Sequence, residues 1–284
     1  MSDTHIGFIG LGNIGTPMAV NLAQSHFKTI VYDAFPAASE SFAKRGTAVA
    51  TSPAEMAGTC SIIGVCVRDD ADVENVVLGD NGILSTAKPG TIIAIHSTVQ
   101  QNTILELAKK TAAKGVHIID AAISGGAGGA KDRKLCYMVG CSDELLARCK
   151  PVFDTSAETI VHAGELGSGI ALKLCNNLMT YAAFIAIHEG AKLAEASGLS
   201  LEVLREVGRS NGVVTPQMGT FIENRNNVFQ SCSNEDFKAI FSGYAALGVK
   251  DLKAALESAA KLGIDLPATE KNATLIESVF FNES

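Results

Sequence analysis

A lysine and an asparagine, Lys173 and Asn177, are four positions apart near the middle of the chain. At about 100° per residue, such a pair shares one face of a helix and lies one turn apart. An amine there can exchange a proton with a substrate hydroxyl while the carboxamide orients that hydroxyl. Base catalysis near neutral pH would require the pKa of the lysine to be lowered, by burial or by a neighbouring cation. The pair predicts general acid–base chemistry.

A glycine-rich segment near the start of the chain follows an apolar run and precedes a predicted helix; it comprises Gly10, Leu11, Gly12, Asn13, Ile14 and Gly15. Between a strand and a helix, the first glycine allows a tight turn, the second lets the backbone approach a pyrophosphate, and the third permits close helix packing. Amides at the helix N-terminus supply the anion site. We therefore expect these six residues to bind a dinucleotide.

Asp33 closes the next apolar run, at the spacing expected for a ribose-binding carboxylate. Such a carboxylate accepts hydrogen bonds from the ribose of NAD. It repels the 2′-phosphate of NADP by on the order of a few kcal/mol before solvent screening. No arginine directly follows Asp33, so we expect NAD rather than NADP as cofactor.

Short apolar runs alternate with helical stretches up to about residue 162, and we predict strands at 6–10, 29–33, 61–67, 91–95, 116–120 and 137–140. This rhythm predicts a Rossmann-type α/β domain over residues 1–163, with a doubly wound parallel sheet. Ligands of such sheets bind at the carboxyl ends of the strands.

The pattern changes to long helices after the predicted α/β domain, at about 168–196, 200–210, 215–225, 234–256 and 268–280. Glycine and proline separate them, and no strand pattern interrupts them. We predict an all-α C-terminal domain over residues 164–284. Its first helix is long enough to bridge domains or subunits.

The composition excludes several classes of protein. The chain has 284 residues, 47% of them hydrophobic, and a formal net charge of −7 without a basic run, which argues against a nucleic-acid or anionic-membrane surface. The first five residues show no signal-peptide pattern, and the apolar stretch 178–187 is too short to span a bilayer. We expect a cytoplasmic protein.

Cysteine and histidine show no metal-ligand spacing. The seven cysteines include no C-x-x-C pair and fit a reducing compartment, and the six histidines include no H-E-x-x-H. We therefore predict no metal site. His96 lies beside a strand end, where we expect a structural role.

Four separated segments together resemble the β-hydroxyacid dehydrogenases, the family that includes 3-hydroxyisobutyrate dehydrogenase and tartronate semialdehyde reductase. They are residues 8–22, 120–126, 164–177 and 250–252. The resemblance implies a Rossmann domain followed by a helical domain, with the active site in the cleft and a homodimer or homotetramer as the assembly.

The resemblance also implies roles for individual residues. Lys173 takes the place of the catalytic lysine and Asn177 that of the substrate-orienting asparagine. The expected cofactor contacts further along the chain are Val67, Thr98 and Lys250. The substrate-binding segment contains Ser124, Gly125 and Gly126, whose hydroxyl and backbone amides suit a carboxylate.

The chain departs from the family pattern at four places, one of which is the Gly243-Tyr244 region before Lys250, which is one residue shorter than the usual spacing. Ala122 replaces a proline, residues 131–134 are charged where small residues are common, and Cys66-Val67 replaces a leucine–proline pair. These departures bear on the substrate side chain and the nicotinamide contacts.

We predict an NAD-dependent oxidoreductase that passes a hydride between the nicotinamide and a small β-hydroxy acid. One alternative is a reductase of a semialdehyde such as tartronate or succinic semialdehyde, which would use the same residues in the opposite direction. Another is a non-catalytic NAD-binding sensor. A related imine-reducing group usually lacks the lysine at position 173.

Overall fold

The computed structural model describes residues 4–283 and contains two compact units that meet within one helix, the first ending at Lys173 and the second beginning at Leu174. The sequence predicts a boundary earlier, at 163/164. The expectation of no signal peptide rests mostly on residues 1–3, which lie outside the described range.

The first unit is built on one sheet with strand order β3-β2-β1-β4-β5-β6-β7-β8. Its strands are β1 His5–Ile9, β2 Lys28–Tyr32, β3 Ala48–Val49, β4 Ile62–Val65, β5 Ile92–Ile95, β6 His117–Ser124, β7 Leu135–Gly140 and β8 Ala157–Gly164. Its helices are α1 Gly15–Ala23, α2 Pro36–Lys44, α3 Pro53–Ala57, α4 Asp70–Leu78, α5 Gln101–Ala112, α6 Gly126–Lys131 and α7 Asp143–Phe153.

The predicted Rossmann-type architecture is confirmed. The central strands β4 and β5 are buried at every residue, as expected of strands covered on both faces. Each face of the sheet carries its own hydrophobic cluster, because alternate residues of a strand point to opposite faces of the sheet. Phe8 and Ile92 belong to one cluster, and Ile9 and Ile93 belong to the other. The first strands β1, β2, β4 and β5 pair in parallel, so their carboxyl ends meet at one edge.

The sheet is not wholly parallel, which corrects the sequence prediction. Strand β6 continues to Ser124 and pairs with β7 in antiparallel fashion. A parallel pair needs a crossover of a dozen or more residues, and the connection containing α6 is shorter than that. Strands β3 and β8 were not predicted, because β3 has only two residues and β8 is an edge strand with mostly exposed or half-buried residues.

The second unit is helical, as predicted. Its elements are most of α8 Ser168–Ala196, then α9 Leu201–Asn211, α10 Pro216–Ser231, α11 Asn234–Leu262 and α12 Pro267–Phe280. The bounds of α8 match the prediction, whereas α10 and α11 extend beyond the predicted ends at 225 and 256. Helix α11 ends where Gly263 adopts a left-handed conformation with φ of +70°.

Helix α8 is long and apolar enough to cross a membrane by length and composition alone, with a hydropathy of 1.5 in its best 18-residue window. The sequence prediction that residues 178–187 are too short to span a bilayer concerned only this part of the helix. Ile185 and Ile187 of α8 pack into hydrophobic clusters of the second unit. Of that 18-residue window, 33% is buried inside the structure.

Candidate active site

The glycine turn between β1 and α1 has the geometry of a nucleotide-binding turn. Gly10 adopts φ of +95°, and a Cβ there would collide with the carbonyl oxygen of Cys66. A Cβ at Gly15 would collide with the carbonyl oxygen of Gly10, whereas a Cβ at Gly12 would meet nothing within 4 Å. Gly10 and Gly15 therefore shape the turn, and Gly12 leaves its outer side open.

The N-terminus of α1 presents backbone amides without a side-chain cap. Its N-cap residue, Ile14, makes no side-chain capping hydrogen bond. The first amides of a helix have no partner within the helix and carry partial positive charge. This end of α1, with Leu11 and Asn13 in the turn before it, is suited to an anion.

Asp33 lies over the glycine turn, at the end of β2. Its Oδ2 accepts a hydrogen bond of 2.6 Å from the amide of Leu11, and its Oδ1 accepts one of 2.8 Å from the amide of Phe35. Strands β1 and β2 are in register from His5↔Lys28 to Ile9↔Tyr32, so both segments leave the sheet side by side. The structure thus brings together two features that were predicted separately.

Ser97 joins the loops that follow β4 and β5. Its Oγ accepts a hydrogen bond of 2.8 Å from the amide of Val67 and donates one of 2.8 Å to the carbonyl oxygen of Val67. Val67 and Thr98 are half-buried in these loops. At position 67 the family's proline would have no amide to donate, so this departure adds a hydrogen bond.

The Ser124–Gly126 segment leaves the end of β6 through two glycines with positive φ. Gly125 has φ of +126° and Gly126 has φ of +63°, and a Cβ at Gly126 would meet nothing within 4 Å. Ser124 lies directly opposite Cys136 of β7, so the two side chains point to the same face of the sheet. The exposed glycine backbone can approach an anion closely.

Two departures from the family pattern have structural explanations. Ala122 is fully buried in the core of the first unit. Arg133 adopts φ of +58°, and its guanidinium donates to Asn21 Oδ1 at 3.3 Å and to Gln24 Oε1 at 3.2 Å. Arg133 therefore ties the loop before β7 to α1.

Lys173 is buried, with 9% of its surface exposed, and lies five residues after Ser168, the first residue of α8. Burial raises the pKa of the Cys136 thiol, and the charge of Lys173 offsets part of that rise, which places the ammonium near this strand. Since Cys136 faces the same way as Ser124, Lys173 lies toward the β6–β7 face that presents Ser124. No sequence pattern had indicated Cys136 as a neighbour of the lysine.

Asp120 fixes the start of α8. Its carboxylate accepts hydrogen bonds of 2.8 Å from the amide of Gly167 and 2.7 Å from the amide of Ile170. The aspartate was not predicted as a site residue, although it begins the Asp120–Gly126 segment. The sequence feature that could have indicated Asp120 is a charged residue directly before the apolar residues 121–123 of β6.

Asn177 is held by a network in the second unit. Its Nδ2 donates a hydrogen bond of 2.6 Å to Asp251 Oδ2, and its Oδ1 accepts one of 3.2 Å from Asn176 Nδ2. The hydroxyl of Tyr181 donates to the same Asp251 oxygen at 3.3 Å. Burial and the neighbouring Asp251 both raise the pKa of Tyr181, so its hydroxyl stays protonated and remains a donor.

Lys250 forms an ion pair of 3.3 Å with Asp251 Oδ1. Asp251 is buried, with 5% of its surface exposed, and it joins Lys250 to the carboxamide of Asn177. The sequence predicted Lys250 and Asn177 as site residues but not the aspartate between them. The sequence feature that could have indicated Asp251 is its position next to Lys250 in segment 250–252, which resembles a family motif.

His96 is a structural residue, as expected. Its Nδ1 lies 2.8 Å from the carbonyl oxygen of Ala121, and its ring packs against Phe8, Tyr137 and Phe153. Burial lowers the pKa of His96 to about 4. The ring is therefore neutral at pH 7.

Comparison with known proteins gives matches over both units. Residues 5–164 match a family model described as the NAD binding domain of 6-phosphogluconate dehydrogenase. Residues 167–282 match one described as NAD-binding of NADP-dependent 3-hydroxyisobutyrate dehydrogenase.

Individual proteins are similar over most of their length. An uncharacterized oxidoreductase of Mycobacterium tuberculosis is 38% identical over 266 residues, which cover 94% of this chain and 90% of that protein. 2-(Hydroxymethyl)glutarate dehydrogenase of Eubacterium barkeri is 32% identical over 276 residues, covering 96% and 88%. The solved structure of 3-hydroxyisobutyrate dehydrogenase of M. tuberculosis with L-serine has a TM-score of 0.83, 28% identity and 99% coverage of both chains.

Proposed function

The chain belongs to the 3-hydroxyisobutyrate dehydrogenase family, and on that premise we propose that it oxidises a small β-hydroxy acid with NAD, using Lys173 as the general acid and base. The observation that carries this proposal is the buried Lys173 on a helix whose first turn is anchored to the strand bearing Ser124. A lysine is rarely buried without a functional or paired role.

The residues of the first unit fit a bound NAD. The open side of Gly12 and the uncapped start of α1 suit the pyrophosphate. Asp33, whose carboxylate accepts a hydrogen bond from the glycine turn, would accept further bonds from the adenosine ribose hydroxyls, and its negative charge disfavours the 2′-phosphate of NADP. Val67 and Thr98 are the proposed contacts of this unit nearer the nicotinamide, and Lys250 of the second unit is proposed as a further cofactor contact.

A bound nicotinamide would supply hydride-transfer chemistry for the interconversion of the substrate hydroxyl and carbonyl. Lys173 Nζ takes the hydroxyl proton as the carbonyl forms, and in the reductive direction it donates that proton to the carbonyl oxygen. Asn177 retains one N–H and one lone pair after its bonds to Asp251 and Asn176. We assign the orientation of the substrate oxygen to this N–H and lone pair.

The substrate class follows from the anion-binding segment and from the relatives. Ser124 and the amides of Gly125 and Gly126 hold the carboxylate. The names of two similar enzymes specify 3-hydroxyisobutyrate and 2-(hydroxymethyl)glutarate, which both carry a hydroxymethyl group next to a carboxylate-bearing carbon. A carboxylate held by Ser124 would present such a hydroxymethyl group to Lys173.

The helical unit also supports a homodimer or homotetramer. Large apolar side chains of α8 and α9 are exposed, among them Met179, Leu193, Val203 and Val207. Where such side chains adjoin, they form apolar surfaces through which subunits associate. Sedimentation velocity tests this part of the proposal, and a monomer at micromolar concentration would contradict it.

The test is the initial rate of NADH absorbance with 3-hydroxyisobutyrate, 2-(hydroxymethyl)glutarate, glycerate and L-serine, each with NAD and with NADP. The methyl ester of 3-hydroxyisobutyrate is the control, since it keeps the hydroxymethyl group and lacks the charge. We expect turnover with NAD that falls sharply for the ester. Reduction of semialdehydes without measurable oxidation would favour the reductase alternative, and NADH binding without any turnover would favour the sensor.

A further inference from the structure

Asp120 is a buried carboxylate whose bonds reach across the chain to the start of another element. It is 1% exposed, on the strand β6, opposite Ile95 of β5 and Gly140 of β7. Its two oxygens accept from the amide of Gly167, directly before α8, and from the amide of Ile170 in the first turn of α8. Carboxylates at a helix N-terminus are favoured by the unpaired amides and by the helix dipole.

The packing around this carboxylate leaves little room for α8 to shift. A Cβ at Gly169 would collide with the carbonyl oxygen of Met138 and would lie 2.9 Å from Asp120 Oδ2. A Cβ at Gly140 would lie 2.5 Å and 2.8 Å from the two Asp120 oxygens. The sheet and the helix thus meet through two glycines, with the carboxylate between them.

The anchored turn directly precedes Lys173. Gly169 lies four positions before Lys173, so the two residues share the face of α8 that packs on the β6–β7 sheet. Each residue of a helix adds about 100° of rotation and about 1.5 Å of rise. A small displacement of the first turn would therefore move the Lys173 amine away from the β6 end that presents Ser124.

We propose that Asp120 is a positioning residue, which acts on the reaction by fixing the first turn of α8 and thereby the place of the Lys173 amine. This inference rests on the proposed function of Lys173. It assigns to Asp120 no contact with the substrate or the cofactor.

A double-mutant cycle tests the inference with Asp120→Asn, Lys173→Ala and the double variant. Asparagine has nearly the same shape but offers one acceptor oxygen and turns an N–H toward an amide donor. We expect Asp120→Asn to lower kcat on the order of tenfold to hundredfold, the range for a displaced catalytic group. We expect an unchanged Kd for NADH and a shifted pH profile of kcat. In the Lys173→Ala background the same substitution should cost nothing further.

Asp70→Asn is the matched control. Asp70 Oδ1 accepts from the amide of Gln100 at 2.8 Å and from the hydroxyl of Thr103 at 2.6 Å, at the start of α5. It therefore anchors a different helix in a comparable way. We expect a lower thermal midpoint and an unchanged pH profile of kcat for this variant.

Equal losses of kcat from Asp120→Asn in both backgrounds, or a loss of thermal stability alone, would overturn the positioning role. Full turnover of Lys173→Ala would instead contradict the proposed function, so the two failures are distinguishable. If Asp120→Asn does not fold, Asp120→Glu replaces it. Glutamate keeps both acceptors but displaces the turn by one methylene, and full activity of a folded Asp120→Glu would overturn the inference.

Discussion

The side-chain amide of Asn177 donates a hydrogen bond of 2.6 Å to Oδ2 of Asp251, and both residues are buried in the second unit. Because a carboxylate only accepts hydrogen bonds, it decides which end of the Asn177 carboxamide faces it. The remaining N–H is then directed elsewhere, and Lys250 shares the same carboxylate through Oδ1. Asp251 thus sets the orientation of the Asn177 carboxamide and neutralises the charge of Lys250.

Replacing Asp251 by asparagine should impair turnover more than folding. The charge-assisted bond to Asn177 disappears, and Lys250 loses its ion-pair partner. Bonds to charged groups contribute about 1.5–3 kcal/mol, so we expect kcat/KM to fall on the order of tenfold to hundredfold. Steady-state kinetics checks this, with Tyr181→Phe as control, because that variant deletes only the longer bond of 3.3 Å. Equal losses from the two variants would contradict the orienting role.

The two glycines Gly12 and Gly15 should respond differently to alanine. Gly12 is exposed and has open space, so Gly12→Ala should change the free energy of unfolding by less than about 0.5 kcal/mol while weakening NADH binding. Gly15→Ala forces a methyl group against the carbonyl of Gly10 and should destabilise the fold by about 1–3 kcal/mol. Chemical denaturation and NADH fluorescence titration measure both quantities. Unimpaired NADH binding by Gly12→Ala would argue against the nucleotide site.

Replacing Asp33 by asparagine should relax the preference for NAD. The asparagine oxygen can still accept from the amide of Leu11, but the charge that repels a 2′-phosphate is gone. A unit-charge interaction near a surface is worth roughly 1–4 kcal/mol, so the NADP-to-NAD ratio of kcat/KM should rise on the order of tenfold or more. An exposed acid in another loop, Asp80, provides the control through Asp80→Asn. Equal ratios in wild type and Asp33→Asn would contradict the assignment.

Stability should decline as the pH falls from 6.5 to 4, partly because of His96. Burial lowers its pKa from 6.5 to about 4 in the folded state, so over this interval the unfolded state binds more protons than the folded state. The His96 contribution is complete above pH 6.5 and is lost as the pH approaches 4, which amounts to about 3 kcal/mol. Urea unfolding at several pH values should show a smaller slope for His96→Asn. His117→Asn, at an exposed position in β6, should keep the wild-type slope.

Features set by neighbouring residues were predictable from the sequence. The glycine turn, the apolar strands β4 and β5, and the bounds of α8 depend on local spacing and periodicity. The antiparallel pairing of β7 was not predictable, because the predicted strands 116–120 and 137–140 leave room for a parallel crossover, and only the observed extension of β6 to Ser124 shortens the connection. Nor was strand β8, because its exposed edge carries no continuous apolar run.

Partners distant in the chain were beyond the sequence patterns. Asp251 meets Asn177 across 74 positions, and Asp120 meets Gly167 across 47. Each aspartate lies in a segment that resembles a family motif, but its hydrogen bonds depend on how helices and strands pack. Residue spacing was enough to predict Lys173 and Asn177 as site residues. The carboxylates of Asp120 and Asp251, which bond to the start of α8 and to Asn177, could be identified only from the fold.

The most direct test of the account is the turnover number of Lys173→Ala beside Lys192→Ala, an exposed lysine on the same helix, with NADH affinity measured for both. General acid–base catalysis contributes on the order of 10²–10⁴-fold, so the kcat of Lys173→Ala should fall by that factor while its affinity for NADH stays at the wild-type value. Lys192→Ala should remain fully active. A folded Lys173→Ala enzyme with wild-type kcat would contradict the proposal that Lys173 is the general acid and base.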